Sequence, residues 1–233
     1  MEKSQYELCL AVLGRLSQTG LLKHLILVGS WCMPFYRRYF EGTPYNPSIR
    51  TRDMDFLVPA PAAIKQKTRL PELLKDLGFV VGFTGNRGYI RLEHPQLIIE
   101  FLVPERGRAS DKPFPLPQLG LTAQQLRFLE LLSRDTITVE LEAGTVTLPH
   151  PANFALHKLL VLARRPSEAK RDKDREAALR ILKALSDKGQ DRIVAQVFRS
   201  LPKKWQGKIK KALAGSGQLT AEDFFAWLPD TPK

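Results

Sequence analysis

The segment Leu97-Ile98-Ile99-Glu100-Phe101-Leu102-Val103 places a single carboxylate inside an otherwise wholly apolar run. A run this short and this apolar reads as a strand covered on both faces, which puts it in the interior of a sheet with layers on either side. It is far too short to cross a membrane. An unpaired carboxylate buried at such a position costs roughly several kcal/mol, so whatever fold the chain adopts must bring a cation to Glu100.

Two more carboxylates stand in a related setting. Asp53 and Asp55 are two apart around the apolar strand Met54-Asp55-Phe56-Leu57-Val58, and the period of a strand points both side chains to one face. If that strand neighbours the Glu100 strand, three carboxylates converge, and a divalent ion with a preference for hard oxygen, magnesium or manganese, relieves their repulsion. A third apolar strand, Leu25-Ile26-Leu27-Val28, ends at Gly29-Ser30. Glycine there lets a phosphate approach closely, and the Ser30 hydroxyl with adjacent backbone N–H groups can donate to its oxygens. The three features together read as a triphosphate cradle beside a metal site.

Along the chain the pattern predicts a helix over Tyr6–Leu16, strands at Leu25–Val28 and Met54–Val58, and a helix over Ala62–Leu77. Strands follow at Phe79–Phe83, Tyr89–Glu93 and Leu97–Val103. That order predicts an α/β or α+β layer structure with a mixed sheet. The Pro-rich, charged stretch from Pro104 to Pro117 reads as a linker or surface crossover. Thr136–Val139 and Thr145–Leu148 flank Glu142-Ala143-Gly144 as a hairpin. From Pro151 on, the pattern is helical: Pro151–Arg165, Ser167–Ser186, Asp191–Ser200, Pro202–Ala214 and Thr220–Leu228, with Pro166-Ser167-Glu168 as a helix start.

Charge is distributed unevenly over this plan. The net charge is +12. Residues 1–150 carry 18 Lys and Arg against 15 Asp and Glu, a net +3, whereas residues 151–233 carry 18 against 9, a net +9. A polyanionic partner such as RNA is therefore expected at the C-terminal third, with salt-sensitive affinity. Two isolated cysteines, Cys9 and Cys32, support neither a disulfide framework nor a zinc site, and with the polar start Met1-Glu2-Lys3-Ser4 they suggest a cytoplasmic protein without a signal peptide or membrane anchor.

Leu27-Val28-Gly29-Ser30, Arg50-Thr51-Arg52-Asp53-Met54-Asp55-Phe56-Leu57-Val58 and Ile98-Ile99-Glu100-Phe101-Leu102 resemble the motifs of the DNA polymerase β-type nucleotidyltransferase superfamily over residues 20 to 105. The Arg-x-x-Asp-x-Asp arrangement, with the downstream segments Pro151–Leu160 and Lys170–Asp174, resembles its minimal and toxin–antitoxin branch. The 22 residues between Ser30 and Asp53 exceed the family's usual spacing, and their aromatic run Phe35-Tyr36-Arg37-Arg38-Tyr39-Phe40 is expected to extend the helix after Ser30.

The resemblance implies an α+β, mixed-sheet nucleotidyltransferase core over residues 1–115, followed over 116–233 by a hairpin and a basic helical domain. It implies two-metal transfer of a nucleoside monophosphate from a triphosphate to a hydroxyl. In that scheme Asp53, Asp55 and Glu100 hold the magnesium or manganese ions, Gly29 and Ser30 meet the β- or γ-phosphate, and Arg50, Arg52 and Lys158 neutralise the triphosphate. RNA is the favoured acceptor; a protein hydroxyl, as in an AMPylating toxin, or a non-catalytic nucleic-acid-binding module on the same scaffold are the alternatives. Two structural pairings compete with these roles: Glu100 with Arg91 of the neighbouring strand, and Asp174 with Lys170 on a helix surface. The histidines at 24, 94, 150 and 157 have no ligand spacing and receive no chemistry. The reading stands or falls on Asp53, Asp55 and Glu100 sharing one face next to Ser30.

Overall fold

The computed structural model describes residues 3–47, 51–84, 88–105, 107 and 112–214. Helix α1 (Lys3–Gln18) buries Cys9, Val12, Leu13 and Leu16 at helical spacing. Strand β1 (Ile26–Val28) then leads through a turn of 3₁₀ helix at Gly29–Trp31 into α2 (Cys32–Tyr39). The aromatic run does extend this helix, and Phe35, Tyr36 and Phe40 are buried.

The remaining strands are β2 (Asp53–Leu57), β3 (Val80–Thr84), β4 (Tyr89–Glu93), β5 (Ile98–Pro104), β6 (Phe114–Leu116) and β7 (Leu121–Leu126). The sheet runs in the order β1-β2-β5-β4-β3, with β2 parallel to β5 and the other neighbours on that path antiparallel. Strand β7 pairs parallel with the later part of β5, and β6 pairs antiparallel with β7. The fold is thus α+β with a mixed sheet. Phe56 of β2 and Phe101 of β5 stand in register on the face away from the carboxylates, with rings 5.7 Å apart, and both are buried, worth about 1.5–3 kcal/mol apiece.

Two expectations are corrected here. The helix over Ala62–Leu77 is replaced by short pieces: 3₁₀ turns at Pro61–Ala63 and Lys75–Leu77, and the single turn α3 (Leu70–Leu73). Proline at 71 lacks an amide N–H and its ring excludes the carbonyl four residues earlier, so a helix can begin near it but not run through it. The stretch from Pro104 to Pro117, expected as a linker or surface crossover, contains β6, which pairs with β7 just beyond it. Behind them lie α4 (Glu130–Arg134) and the hairpin β8 (Thr136–Leu141) with β9 (Gly144–Pro149).

The chain accordingly divides elsewhere than at 115/116. Residues 1–35 and 48–149 form one compact unit, and residues 36–47 with 150–233 form the other. The hairpin falls in the first unit, joined to the sheet unit by contacts of β9 with β1 and α1.

The second unit is helical: α5 (Pro151–Val161), α6 (Glu168–Asp187), α7 (Asp191–Ser200) and α8 (Lys203–Ala214). The helix expected at Thr220–Leu228 lies outside the described residues. Helix α5 packs against the other three and is buried along most of its length. His150 caps it, Nδ1 accepting from the Ala152 N–H at 3.2 Å, while Nε2 donates to the Tyr39 hydroxyl at 2.9 Å, which in turn donates to Gln190 Oε1 at 2.7 Å. Ser167 caps α6 by accepting from the Lys170 N–H, as its position in the sequence suggests.

Asp174 is not on the helix surface. With Ala178, Ile181, Leu182 and Leu185 it lies on the inward stripe of α6, and its carboxylate meets Lys158 Nζ and Arg165 Nε, each at 2.5 Å. Burial pushes the Asp174 carboxyl up, but the charges and hydrogen bonds of Lys158 and Arg165 outweigh that and hold it below its usual value. Next to this pair, enclosure of His157, aided by the charges of Lys158 and Arg165, pushes its imidazole down to about 3.

Removing one partner of a buried ion pair strands the other, so Asp174→Ala is expected to lower unfolding free energy by about 3 kcal/mol or more in urea titrations. The His157 shift has a definite sign. Below pH ~6.5 the unfolded chain takes up a proton that the folded one refuses, so stability declines with acid by up to about 1.4 kcal/mol per pH unit until about pH 3. The Asp174 contribution is present above its ordinary range and is lost at still lower pH. His157→Gln is expected to flatten the decline below pH ~6.5 in the same titrations.

Candidate active site

The register of the sheet determines which side chains meet. Across β1, β2 and β5, Val28 lies opposite Asp55, and Asp55 lies opposite Glu100. Paired residues on neighbouring strands project to the same face, so Asp55 and Glu100 stand side by side at about the 4.8 Å strand spacing. Asp53, two residues before Asp55, lies on that face opposite Ile98. The three carboxylates that the sequence nominates are therefore brought onto one face of two parallel strands. Asp53 is exposed and Asp55 and Glu100 are half-buried. Further along the same face, Leu57 and Leu102 join Ile26, Val28, Leu129 and Leu132 in an apolar cluster, so the face is acidic over the first part of the two parallel strands and dry over the rest.

The turn after β1 touches this face. Gly29 has φ +70°, and a Cβ there would overlap Asp55 Oδ2. Only glycine supplies both the left-handed backbone and the room for that carboxylate. Ser30, half-buried, follows immediately in the 3₁₀ turn that leads into α2.

The basic candidates separate. Arg52 is exposed at the start of β2, its Nη2 donating to the His94 carbonyl at 3.0 Å. Arg50 lies outside the described residues. Lys158 is buried in the helical unit with its ammonium on Asp174.

Three further residues belong to this face: Arg91, expected from the sequence as a structural partner of Glu100, and Glu93 and Gln124, to which the sequence assigned no role. Arg91 faces Glu100, with Nη1 3.9 Å from Oε1, so the proposed structural pairing is present, but only at the limit of an ion pair. Its Nε donates to Glu93 Oε1 at 2.6 Å. Glu93 in turn lies over Gly82 of β3, where a Cβ would overlap the carboxylate. The alternation Tyr89-x-Arg91-x-Glu93 carries this information, since one strand sends all three to one side. Gln124 of β7 also joins the face opposite Leu102; the alternation in Leu121-Thr122-Ala123-Gln124 was the available signal.

The donor set suits magnesium or manganese, being carboxylate oxygens only. Among the described residues no three His, Cys, Asp or Glu side chains by themselves form a group that could hold a metal ion. That is compatible with magnesium, which protein sites usually hold through one or two carboxylates, with substrate phosphates and water completing the octahedron. Asp55 and Glu100 in register, with the glycine turn against Asp55, have the chemistry to share such an ion with a phosphate.

A family model described as Nucleotidyltransferase matches residues 7–201. Among solved structures, the chain is similar to an antigenic nucleotidyltransferase-like protein from Paracoccidioides brasiliensis, at 15% identity and a TM-score of 0.47, covering 96% of this chain and 93% of that one. It is also similar to the antibiotic-resistance factor ANT(2'')-Ia, at 14% identity and a TM-score of 0.44, covering 86% and 94%. A tRNA-processing enzyme matches at 18% identity and a TM-score of 0.30, covering 97% and 56%. No curated protein matches. No helix among the described residues is long and apolar enough to cross a membrane.

Gly29→Ala tests the packing of the turn on Asp55. The strained backbone and the overlap with the carboxylate are expected to remove at least about 1 kcal/mol of stability by denaturant unfolding, and to weaken binding of a triphosphate measured by equilibrium dialysis.

Proposed function

Since the chain belongs to the nucleotidyltransferase family, we propose that it moves a nucleoside monophosphate from a nucleoside triphosphate onto a hydroxyl, with Asp53, Asp55 and Glu100 as its acidic residues. The observation that carries this reading is the Asp55–Glu100 register, with Gly29 pressed against the Asp55 carboxylate.

Asp53 and Asp55 would hold magnesium or manganese against the triphosphate, and Glu100 would share it on the acceptor side. When bound, the ion supplies charge neutralisation at the phosphates and lowers the pKa of the acceptor hydroxyl. Ser30 and the backbone N–H groups of its turn donate to the outer phosphates. Arg52, exposed beside Asp53, adds positive charge where the triphosphate is bound, and Arg50 is its companion in this reading. Lys158, engaged by Asp174, contributes by holding the helical unit together, and any charge it lends to nucleotide is shared with that carboxylate. Glu100 takes up the acceptor proton as the new phosphate ester forms. Preorganised charge of this kind is the principal source of rate in phosphoryl chemistry.

RNA is the favoured acceptor. The +9 of residues 151–233 supports it, as does α8, where Lys203, Lys204, Lys210 and Lys211 are exposed while Ile209 and Leu213 form the buried stripe. Such an interface weakens steeply with salt. The Arg50-x-x-Asp53-x-Asp55 pattern favours the minimal, toxin–antitoxin-like branch. Cys9 and Cys32 are both buried free thiols, in keeping with a cytoplasmic setting.

Incubation with each α-labelled triphosphate, magnesium or manganese, and total RNA or protein identifies nucleotide and acceptor. Asp53→Asn and Asp55→Asn are each expected to lower transfer by at least about 100-fold while circular dichroism and unfolding midpoints stay close to wild type. Full activity in both variants removes the assignment.

A further inference from the structure

Helix α8 is well made on its inward side and poorly made on its outward one. Inward, Gln206, Ile209 and Leu213 are buried and the helix packs against α5. Gln206 Nε2 donates to the Leu201 carbonyl at 2.8 Å and to the Arg199 carbonyl at 3.3 Å, which fastens α8 to the end of α7. Outward, an exposed glycine, Gly207, stands in mid-helix. Glycine destabilises a helix interior relative to alanine, and the close approach of another group is what justifies it. Nothing in the protein makes that approach, since a Cβ at 207 would meet no atom within 4 Å.

The neighbours of Gly207 on the helix surface are the residues three and four positions before and after it. These are Lys203, Lys204, Lys210 and Lys211, all exposed. The glycine is therefore the bare floor of a basic frame whose two lysine pairs lie about 10 Å apart along the axis. On α6 the cations Arg175, Arg180 and Lys183 each meet a carboxylate three or four residues away. Helix α8 has no such option, because residues 192–214 hold seven Lys and Arg and no Asp or Glu. Lys203 and Lys204 also sit in the first turn, where the helix dipole favours acids. Bare backbone, repelling cations and positive charge at the positive end all weaken the helix, and one polyanion laid on this face accounts for the three together.

We propose that the outward face of α8 docks the sugar–phosphate backbone of a double-helical RNA segment, with a phosphate seated over Gly207 between the lysine pairs. This rests on the reading of RNA as the acceptor and adds how the RNA is held. Charge complementarity carries it first, because a duplex backbone is a continuous row of phosphates that can meet both lysine pairs at once. The chemistry of the face then narrows the partner. It presents lysines, Gly207 and Ala214, with no aromatic ring to stack unpaired bases and no amide or hydroxyl side chain to read base edges; Trp205 is on the opposite side of the helix and half-buried. A face of this kind suits a backbone whose bases are already paired and turned inward. A duplex is also a rod, which meets a helix closely only where no side chain holds it off, and Gly207 is that place. The apolar side of α8 is occupied by the protein core, so the helix cannot sink into a lipid headgroup layer as an interfacial helix does.

The test uses the full chain with a short RNA hairpin, a single-stranded RNA of equal length and phosphatidylserine vesicles, with affinity read by fluorescence anisotropy and by cosedimentation. Gly207→Leu keeps every charge and raises the floor. It is expected to unfold at no lower temperature than wild type and to bind the hairpin at least about fivefold more weakly. The combined variant Lys203→Gln, Lys204→Gln, Lys210→Gln, Lys211→Gln is expected to lose at least about 30-fold in hairpin affinity at about 100 mM salt, and the slope of log affinity against log salt flattens by about 3. The same charge change on exposed lysines of the sheet unit, Lys23→Gln, Lys65→Gln, Lys67→Gln, Lys75→Gln, costs less than about threefold, and wild type prefers the hairpin to the single strand by at least about fivefold. Equal losses in the two fourfold variants, full hairpin affinity in Gly207→Leu, parity of hairpin and single strand, or capture of vesicles without the hairpin overturns the dock. Transfer from an α-labelled triphosphate separates this surface from the reading beneath it. Hairpin binding that follows the α8 variants while RNA takes no label upholds the dock and refutes RNA as acceptor. Labelling of RNA that the α8 variants leave unchanged does the reverse.

Discussion

The parallel pairing of β2 with β5 is the constraint on which the rest of this molecule depends. It sets Asp55 against Glu100 on one face and Phe56 against Phe101 on the other. A slip of one residue would exchange the faces, burying the carboxylates among aromatic rings and exposing the rings to water. The aromatic pair and the flanking Met54 and Ile99 thus secure the register that keeps the acidic side chains together. Core packing and chemistry are here two consequences of one alignment, as the alternation of the two strands requires.

Repulsion between those carboxylates is managed by their neighbours. Arg91 reaches toward Glu100 while Glu93 grips its other side, and Gly82 leaves the space that Glu93 fills. A residue without a side chain, two strands away from Glu100, therefore bears on the orientation of a carboxylate in the site. The glycine at 29 plays the corresponding part on the opposite flank, where its left-handed backbone lets the turn lie against Asp55. The face is framed on both sides by positions where a Cβ would not fit.

Much of this arrangement was legible in the sequence because it follows from short-range periodicity. Asp53 and Asp55 had to share a face, Glu100 had to interrupt an apolar strand, and Gly29-Ser30 had to close a third one. What stayed hidden depended on long-range partners. Strand β6 lies at the end of a proline-rich stretch and β7 just beyond it, and no local pattern reveals that β7 pairs with β5, so the alternation at Leu121–Gln124 marks a strand without saying which strand it joins. Asp174 looked like one more charge on a polar helix because its partners, Lys158 and Arg165, come from preceding segments of the chain. The helix expected over Ala62–Leu77 fails for a local reason: its apolar spacing is helical, but Pro71 lacks the amide N–H and its ring excludes the carbonyl four residues earlier.

The interrupted edge of β5 has a consequence for how such a scaffold can diversify. The strands that bear the carboxylates and the glycine turn are β1, β2 and β5, whereas the outer edge of β5 pairs with β4 up to Ile99 and with the β6–β7 ribbon from Leu102, and these strands supply none of the three nominated acids. Substitutions, insertions or a changed twist in that ribbon can reshape this edge while leaving the acidic ladder and its aromatic underside untouched. The acidic ladder and the ribbon at its outer edge are thereby separate stretches of chain, so drift in one need not erode the other.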